Sequence, residues 1–369
     1  MELMSLKKDS FNKLDNKFMK LAINLAGNQK GLTGTNPSVG CVIVKNYKII
    51  SFGVTNINGR PHAETIAINK NIKKINGATI YLTLEPCSHY GETPPCTKAI
   101  IKNKIKKVNY SIEDIDTRCF NKAKKILNSK KIKTKSGLLV KEAKNLYKSY
   151  NYIKKNKSPY IVGKLACSAN LNILKNNQSI TNVHSRKISH LLRYEYQGIL
   201  TSYTTINTDN PKLTCRLNGL EKFSPKRLII DKDLKINMKS YIVKNSRNLN
   251  TFIFHNSKNI KKINNLKKMR LKLIYQDVEV NGYFNLKKIF KQIYKLGIHT
   301  VLVELGNKFT HKILSEKLFN EFYLFKSNKL INNKDKINVL NISKKLNKDF
   351  KNKKYVNTYL DKDTLIHYY

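Results

Sequence analysis

The chain has 369 residues, 71 Lys and Arg against 24 Asp and Glu, a formal charge of +47, and six Cys. The length supports two cored domains, and six cysteines are too few for a disulfide scaffold, so a reducing, cytoplasmic setting is expected. Met1-Glu2-Leu3-Met4-Ser5-Leu6-Lys7-Lys8 holds no signal-peptide core, no run approaches a membrane span, and lysines dispersed among Asn and Ile reflect compositional drift, not a specific nucleic-acid surface.

The first elements that carry chemistry begin at Gly59-Arg60-Pro61, after which His62 and Glu64 open a helical stretch. The run Ala78-Thr79-Ile80-Tyr81-Leu82-Thr83-Leu84 is β-branched and apolar and predicts a buried strand. Pro86 stops that strand, and Cys87 lies just beyond it. Pro94-Pro95 precedes a short helix running from Cys96 through Ala99, Ile100 and Ile101. One strand end and two helix starts therefore bring His62, Cys87 and Cys96 to one sheet edge, where helix N-termini favour thiolates. Three protein ligands leave a fourth zinc position open for water, the mark of a catalytic site. Glu64 is placed to take a proton from that water and return it to a ring nitrogen and departing ammonia. His-x-Glu followed by Pro-Cys and a second Cys is the pattern of zinc-dependent nucleobase deaminases. His89, beside Cys87, either contacts substrate or caps its loop.

The polar, lysine-rich stretch from Asn151 to Pro159 reads as a linker, which divides the chain into domains 1–150 and 151–369. Beyond it, Ile188, Leu191 and Leu192 have helical spacing, and Gly198-Ile199-Leu200-Thr201 and Arg227-Leu228-Ile229-Ile230-Asp231 read as buried strands. A helix follows over Leu286, Ile289, Phe290 and Ile293, then a strand over Thr300-Val301-Leu302-Val303-Glu304. This alternation predicts an α/β domain with a mainly parallel sheet. The absence of G-x-G-x-x-G disfavours an ordinary Rossmann dinucleotide site.

Close-spaced cysteines, as P-C-x-x-C, characterise other deaminases. Here Cys87 and Cys96 flank the loop Ser88-His89-Tyr90-Gly91-Glu92-Thr93-Pro94-Pro95. That loop, with Thr35-Asn36-Pro37-Ser38-Val39-Gly40-Cys41-Val42-Ile43-Val44 upstream, closely resembles the bifunctional riboflavin-biosynthesis deaminase/reductase family, from Asp15 to about Lys154. The second half is similar to the reductase of the same family at Lys164-Leu165-Ala166-Cys167-Ser168, Leu192-Arg193, Thr205 through Arg216, and Glu304-Leu305-Gly306. The resemblance implies an N-terminal cytidine-deaminase-like α/β/α domain followed by a dihydrofolate-reductase-like α/β domain. It implies hydrolytic deamination of 2,5-diamino-6-(5-phosphoribosylamino)pyrimidin-4(3H)-one at zinc, then NADPH reduction of the ribosyl group to ribityl.

By the same resemblance, Asn36 lies in the deaminase pocket and the Gly91-to-Thr93 loop helps hold substrate. Ala166, Thr205, Asp209 and the backbone from Gly306 would contact NADPH. Arg193, Leu213, Arg216 and Glu304 would contact the ribosyl phosphate, through guanidinium forks and carboxylate acceptance from ribose hydroxyls. The expected partner is thus a small phosphorylated pyrimidine, with no membrane partner and with assembly into a homo-oligomer left possible.

The second half departs from the family in three places. Ser168-Ala169-Asn170-Leu171 stands where Ser-x-Asp-Gly is usual, Ser179 where a Trp precedes Ile-Thr, and Leu305-Gly306 where Gly-Gly is usual. These departures raise an alternative, a deaminase whose second half no longer reduces anything. A tRNA-editing deaminase is a further alternative, suggested by charge alone and opposed by the Cys87–Cys96 spacing.

Overall fold

The computed structural model describes residues 11–174, 179–332 and 336–369; the Met1–Lys8 segment read above lies outside them. The chain divides into two compact units, Met1–Asn156 and Lys157–Tyr369.

In the first unit, α1 (Lys13–Gly27) precedes the hairpin β1 (Gly40–Lys45) and β2 (Lys48–Val54). Next come α2 (Ala63–Lys70), β3 (Thr79–Leu84), α3 (Cys96–Lys102), β4 (Lys107–Ile112), α4 (Lys122–Ser129), β5 (Lys133–Ser136), α5 (Val140–Leu146) and α6 (Lys148–Asn156). The five strands form one sheet in the order β2-β1-β3-β4-β5. β1 runs antiparallel to both neighbours, whereas β3, β4 and β5 are parallel. Parallel strands align their carboxyl ends on one edge, where α/β proteins place their ligands. The predicted strand at Ala78–Leu84 and the helix from Cys96 are both present. β3 is buried because α1 covers one face through Met19 and Ala22 while α2 covers the other through Ala67 and Ile68. At Gly53 a Cβ would stand 2.3 Å from the Ala63 carbonyl oxygen, so only glycine lets β2 approach the start of α2 this closely.

The stretch read as a linker is largely helical. α6 ends at Asn156, and Tyr150 and Lys154 share one of its faces at i,i+4 spacing. Tyr150 bonds to Asp114 and Lys154 to Asp116, and these anchors hold as a helix what composition suggests is a polar connector.

The second unit contains, in chain order, β6 (Tyr160–Cys167), β7 (Asn172–Leu174), α7 (Val183–Glu195), β8 (Gly198–Ser202), α8 (Tyr203–Asp209), β9 (Lys226–Ile230), α9 (Tyr241–Lys244) and β10 (Thr251–His255). It continues with α10 (Ile260–Lys268), β11 (Lys272–Tyr275), α11 (Leu286–Lys295), β12 (Thr300–Val303), α12 (Asn307–Ser315), β13 (Glu321–Lys326), β14 (Lys336–Asn338), α13 (Leu340–Asp349), β15 (Lys353–Tyr355) and β16 (Thr364–Tyr368). Its main sheet is ordered β11-β10-β9-β8-β12-β6-β13-β16-β15. All pairs from β11 to β13 are parallel; only the β13–β16–β15 edge is antiparallel, so the mainly parallel sheet read from the sequence is present. Every residue of β8 is buried, as its unbroken apolar run requires. Leu286, Ile289, Phe290 and Ile293 of α11 all enter the core beside Leu228 and Ile230. Among the described residues, no helix is long and apolar enough to cross a membrane.

Candidate active sites in the two units

In the first unit, His62 is the N-cap of α2, Cys87 follows the end of β3, and Cys96 is the first residue of α3 behind the N-cap Pro95. His62 Nδ1 lies 3.6 Å from Cys87 Sγ and 3.4 Å from Cys96 Sγ. The three donor atoms lie within 4.8 Å of one another. Tetrahedral zinc with Zn–S of about 2.3 Å and Zn–N of about 2.1 Å requires S···N edges of about 3.6 Å, so the donor set fits that ion. The Cys96 backbone N–H donates to Cys87 Sγ at 3.2 Å. Hydrogen bonding from the Cys96 thiol pulls the Cys87 thiol down to about 4 against the opposing effect of burial, and His62 reinforces the shift. Glu64, the second residue of α2 and 3% exposed, has its carboxyl pushed up by burial and then by the Cys87 charge.

Asn36 and Arg60 belong to the same pocket as His62 and Glu64. Asn36 Nδ2 donates to the Gly59 carbonyl at 3.1 Å. Gly59 has φ +89°, and a Cβ there would stand 2.5 Å from Asn36 Nδ2. Gly59→Ala is therefore expected to cost about 1–2 kcal/mol of backbone strain and to raise the deaminase KM by displacing Asn36. Thermal denaturation and steady-state kinetics read the two effects.

Sequence reasoning missed another wall of this pocket. Asp114, Asp116, Arg118 and Cys119 follow β4, and Tyr150 and Lys154 come from α6. Glu85 ties that loop to the zinc-ligand segment, accepting from the backbone N–H groups of Asn121 (3.0 Å), Ala123 (3.0 Å) and Asp114 (3.3 Å). His89 Nδ1 lies 3.1 Å from Cys119 Sγ, which fixes the loop residue beside Cys87. The one available signal was topological: Asp114 and Asp116 follow a buried parallel strand, at the edge where sites are built.

In the second unit the predicted residues gather near the carboxyl ends of β6, β8 and β12. Glu304 follows β12; its N–H donates to the Leu200 carbonyl (3.0 Å) and its own carbonyl accepts from Thr201 Oγ1 (2.9 Å). Arg193 grips the Glu304 carboxylate with Nε at 2.9 Å and Nη2 at 3.0 Å, and Lys164 Nζ lies 3.9 Å away. Burial would raise the Glu304 carboxyl, but Arg193 and then Lys164 outweigh it and hold it at about 2. Arg193 Nη1 also donates to the Thr214 carbonyl at 3.3 Å, beside the buried Leu213.

His190 was not anticipated. Its Nδ1 pairs with the Thr214 carbonyl at 3.1 Å, so it carries the proton there, and Nε2 accepts from Arg216 Nε at 3.3 Å. Burial, with Arg193 and Arg216 nearby, lowers His190 to about 4, which keeps the ring neutral between two guanidinium groups. Ala166 lies near the end of β6, two residues beyond Lys164. Thr205 occupies the first turn of α8, where its N–H donates to the N-cap Ser202 Oγ; Asp209 ends that helix, its carboxyl raised by burial. Gly306 is the N-cap of α12, with open space where a Cβ would be.

The Ser168–Leu171 departure has one local explanation and one local cost. Asn170 Nδ2 donates to the Ile331 carbonyl (3.1 Å) and to Asn332 Oδ1 (3.0 Å), bonds that an ionised Asp has no hydrogen to make. Leu171 has φ +56°, a conformation that glycine adopts freely and leucine adopts under strain. Ser179 is exposed.

Residues 12–112 match the family model for the cytidine and deoxycytidylate deaminase zinc-binding region, and residues 159–337 match that for the RibD C-terminal domain. The riboflavin biosynthesis protein RibD of Aquifex aeolicus is 34% identical over 321 residues, which cover 86% of this chain and 88% of that protein. RibD of Escherichia coli is 30% identical over 331 residues, 86% of this chain and 88% of its own. The Acinetobacter baumannii RibD structure matches with a TM-score of 0.81 and 26% identity, over 96% of this chain and 98% of that one. A diaminohydroxyphosphoribosylaminopyrimidine deaminase/5-amino-6-(5-phosphoribosylamino)uracil reductase from Thermotoga maritima matches with a TM-score of 0.79 and 29% identity, over the same shares. The units are thus cytidine-deaminase-like and dihydrofolate-reductase-like α/β domains, as the resemblance implied. With both models present, neither the reading of a second half without reduction nor that of a tRNA-editing deaminase is favoured. With 86% of the chain and 88% of the Aquifex aeolicus relative aligned and both functional regions matched, the chain belongs to the RibD family of riboflavin biosynthesis proteins, a deaminase followed by a reductase.

Proposed function

We propose that the first unit deaminates 2,5-diamino-6-(5-phosphoribosylamino)pyrimidin-4(3H)-one and that the second reduces the ribosyl group of the product, in a cytoplasmic setting. The observation that carries the reading is the His62, Cys87 and Cys96 cluster with the buried Glu64 carboxylate two residues beyond His62. His62, Cys87 and Cys96 would hold the metal, which when bound would supply Lewis acidity and lower the pKa of water toward neutrality. Glu64 accepts the proton of the attacking water and delivers protons to the ring nitrogen and to the amine, which leaves as ammonia. Asn36, held against Gly59, orients the pyrimidine.

In the second unit, Ala166, Thr205, Asp209 and Gly306 form the cofactor side. The Gly306 N-cap leaves room for close backbone approach, and the N–H groups opening α12 suit a phosphate of the cofactor. NADPH supplies the hydride. Leu213, Arg216 and Glu304 form the ribosyl-phosphate side, with Arg193 acting through the Glu304 carboxylate that it holds ionised and oriented.

Purified protein is expected to carry about one zinc per chain, measured by atomic emission. It should release ammonia from the diaminopyrimidine without NADPH and oxidise NADPH only after deamination. Aminouracil product formed with no NADPH consumed at millimolar cofactor would reject the reductase half of the reading.

A further inference from the structure

The deaminase pocket holds a cation pair that none of the assigned roles uses. Arg118, in the loop after β4, grips Asp116 with Nε on Oδ1 at 2.9 Å and Nη2 on Oδ2 at 2.7 Å. Lys154, from α6, reaches the same Oδ2 at 3.2 Å. Asp116 is largely buried, and Arg118 above all holds its carboxyl well below the usual carboxylate range. Asp116 thus faces two cations, and Lys154 also lies within electrostatic reach of Asp114.

Neighbouring polar groups of this wall already have hydrogen-bond or ion-pair partners. Asp114 accepts from the Tyr150 hydroxyl and the Asp116 N–H, both at 3.0 Å. Arg60 pairs with Glu92 at 2.9 Å and donates to Thr93 Oγ1 at 2.9 Å. Arg118 Nη1 has no part in the Asp116 contact, and Lys154 Nζ commits one of its three hydrogens there. Asp116 thus fixes the two side chains in place while donors on both stay available, the arrangement that recognises a phosphate dianion.

We propose that Arg118 and Lys154, positioned by Asp116, form the subsite for the 5'-phosphate of the deaminase substrate. The inference rests on the deaminase reading above and deepens it, by making this pair what separates a nucleotide-like from a nucleoside-like pyrimidine. Asp116 is a positioning residue and contacts no substrate.

The test compares the phosphorylated diaminopyrimidine with its dephosphorylated form on zinc-loaded, full-length protein. Arg118→Ala and Lys154→Ala should each raise KM for the phosphorylated substrate by roughly ten- to hundredfold, the scale of a lost hydrogen bond to a charged group. KM for the dephosphorylated substrate, kcat and zinc content should stay within about twofold of wild type. Asp116→Asn should give a smaller rise confined to the phosphorylated substrate. Binding of ribose 5-phosphate, followed by calorimetry, should weaken in parallel, and this readout needs no turnover. A wild type that deaminates neither pyrimidine would defeat the proposed function; ribose 5-phosphate binding would still decide the subsite. Equal KM changes for the two substrates, or phosphate discrimination lost in Arg60→Ala and kept in Arg118→Ala, would overturn the assignment.

Discussion

Glu64→Gln is expected to keep about one zinc per chain and to lose deamination by about two orders of magnitude or more, the scale of a general acid–base contribution. The amide matches the carboxyl in size, so the first turn of α2 keeps its packing and His62 keeps its place as N-cap. What disappears is the proton acceptor. The carboxyl is 3% exposed, and burial raises its affinity for a proton, which suits a group that must take one and give it back. His62→Ala should instead lose metal and activity together. Metal content and initial rates on the two variants separate the roles, and full activity in Glu64→Gln would remove Glu64 from the mechanism.

The second large effect is expected in the reductase unit. Arg193→Met leaves the Glu304 carboxylate buried, with Lys164 Nζ at 3.9 Å as its remaining cation. Removing one partner of a buried ion pair costs about 3–5 kcal/mol, and reductase turnover should fall with it while deamination by the other unit persists. Glu304 also links stability to pH. Its carboxyl is held at about 2 against an ordinary value of 4.5. A depressed carboxylate stabilises the folded state above its unfolded pKa and loses that contribution as pH falls toward the folded value. The contribution, on the order of 3 kcal/mol, should be complete above pH 4.5 and should fade between 4.5 and 2. Other carboxyls titrate in that range, so the measurement is the difference in unfolding free energy between wild type and Glu304→Gln across the window. A difference that does not vary with pH would show that the pair does not hold the carboxyl down.

The parts of this protein legible in its sequence are those governed by neighbours along the chain. Proline before Cys96, the apolar run ending at Leu84 and the His62-x-Glu64 spacing each act within a turn or a strand, so the convergence of His62, Cys87 and Cys96 could be read directly. The α11 core positions were equally legible, because Leu286, Ile289, Phe290 and Ile293 repeat at helical period. Choices of partner across the fold were not. Arg193 and Glu304 both read as substrate contacts, yet they lie 111 positions apart and meet in the same buried space. A buried carboxylate needs a cation before any ligand arrives, and only tertiary packing showed that Arg193 supplies it. The wall made by Asp114, Asp116, Arg118, Tyr150 and Lys154 was hidden for the same reason. Its members come from a strand-end loop and a helix that composition presents as a lysine-rich linker. Lysines spread throughout this chain look alike in sequence. Lys154 stands apart only because the fold brings it to Asp116 at the pocket wall.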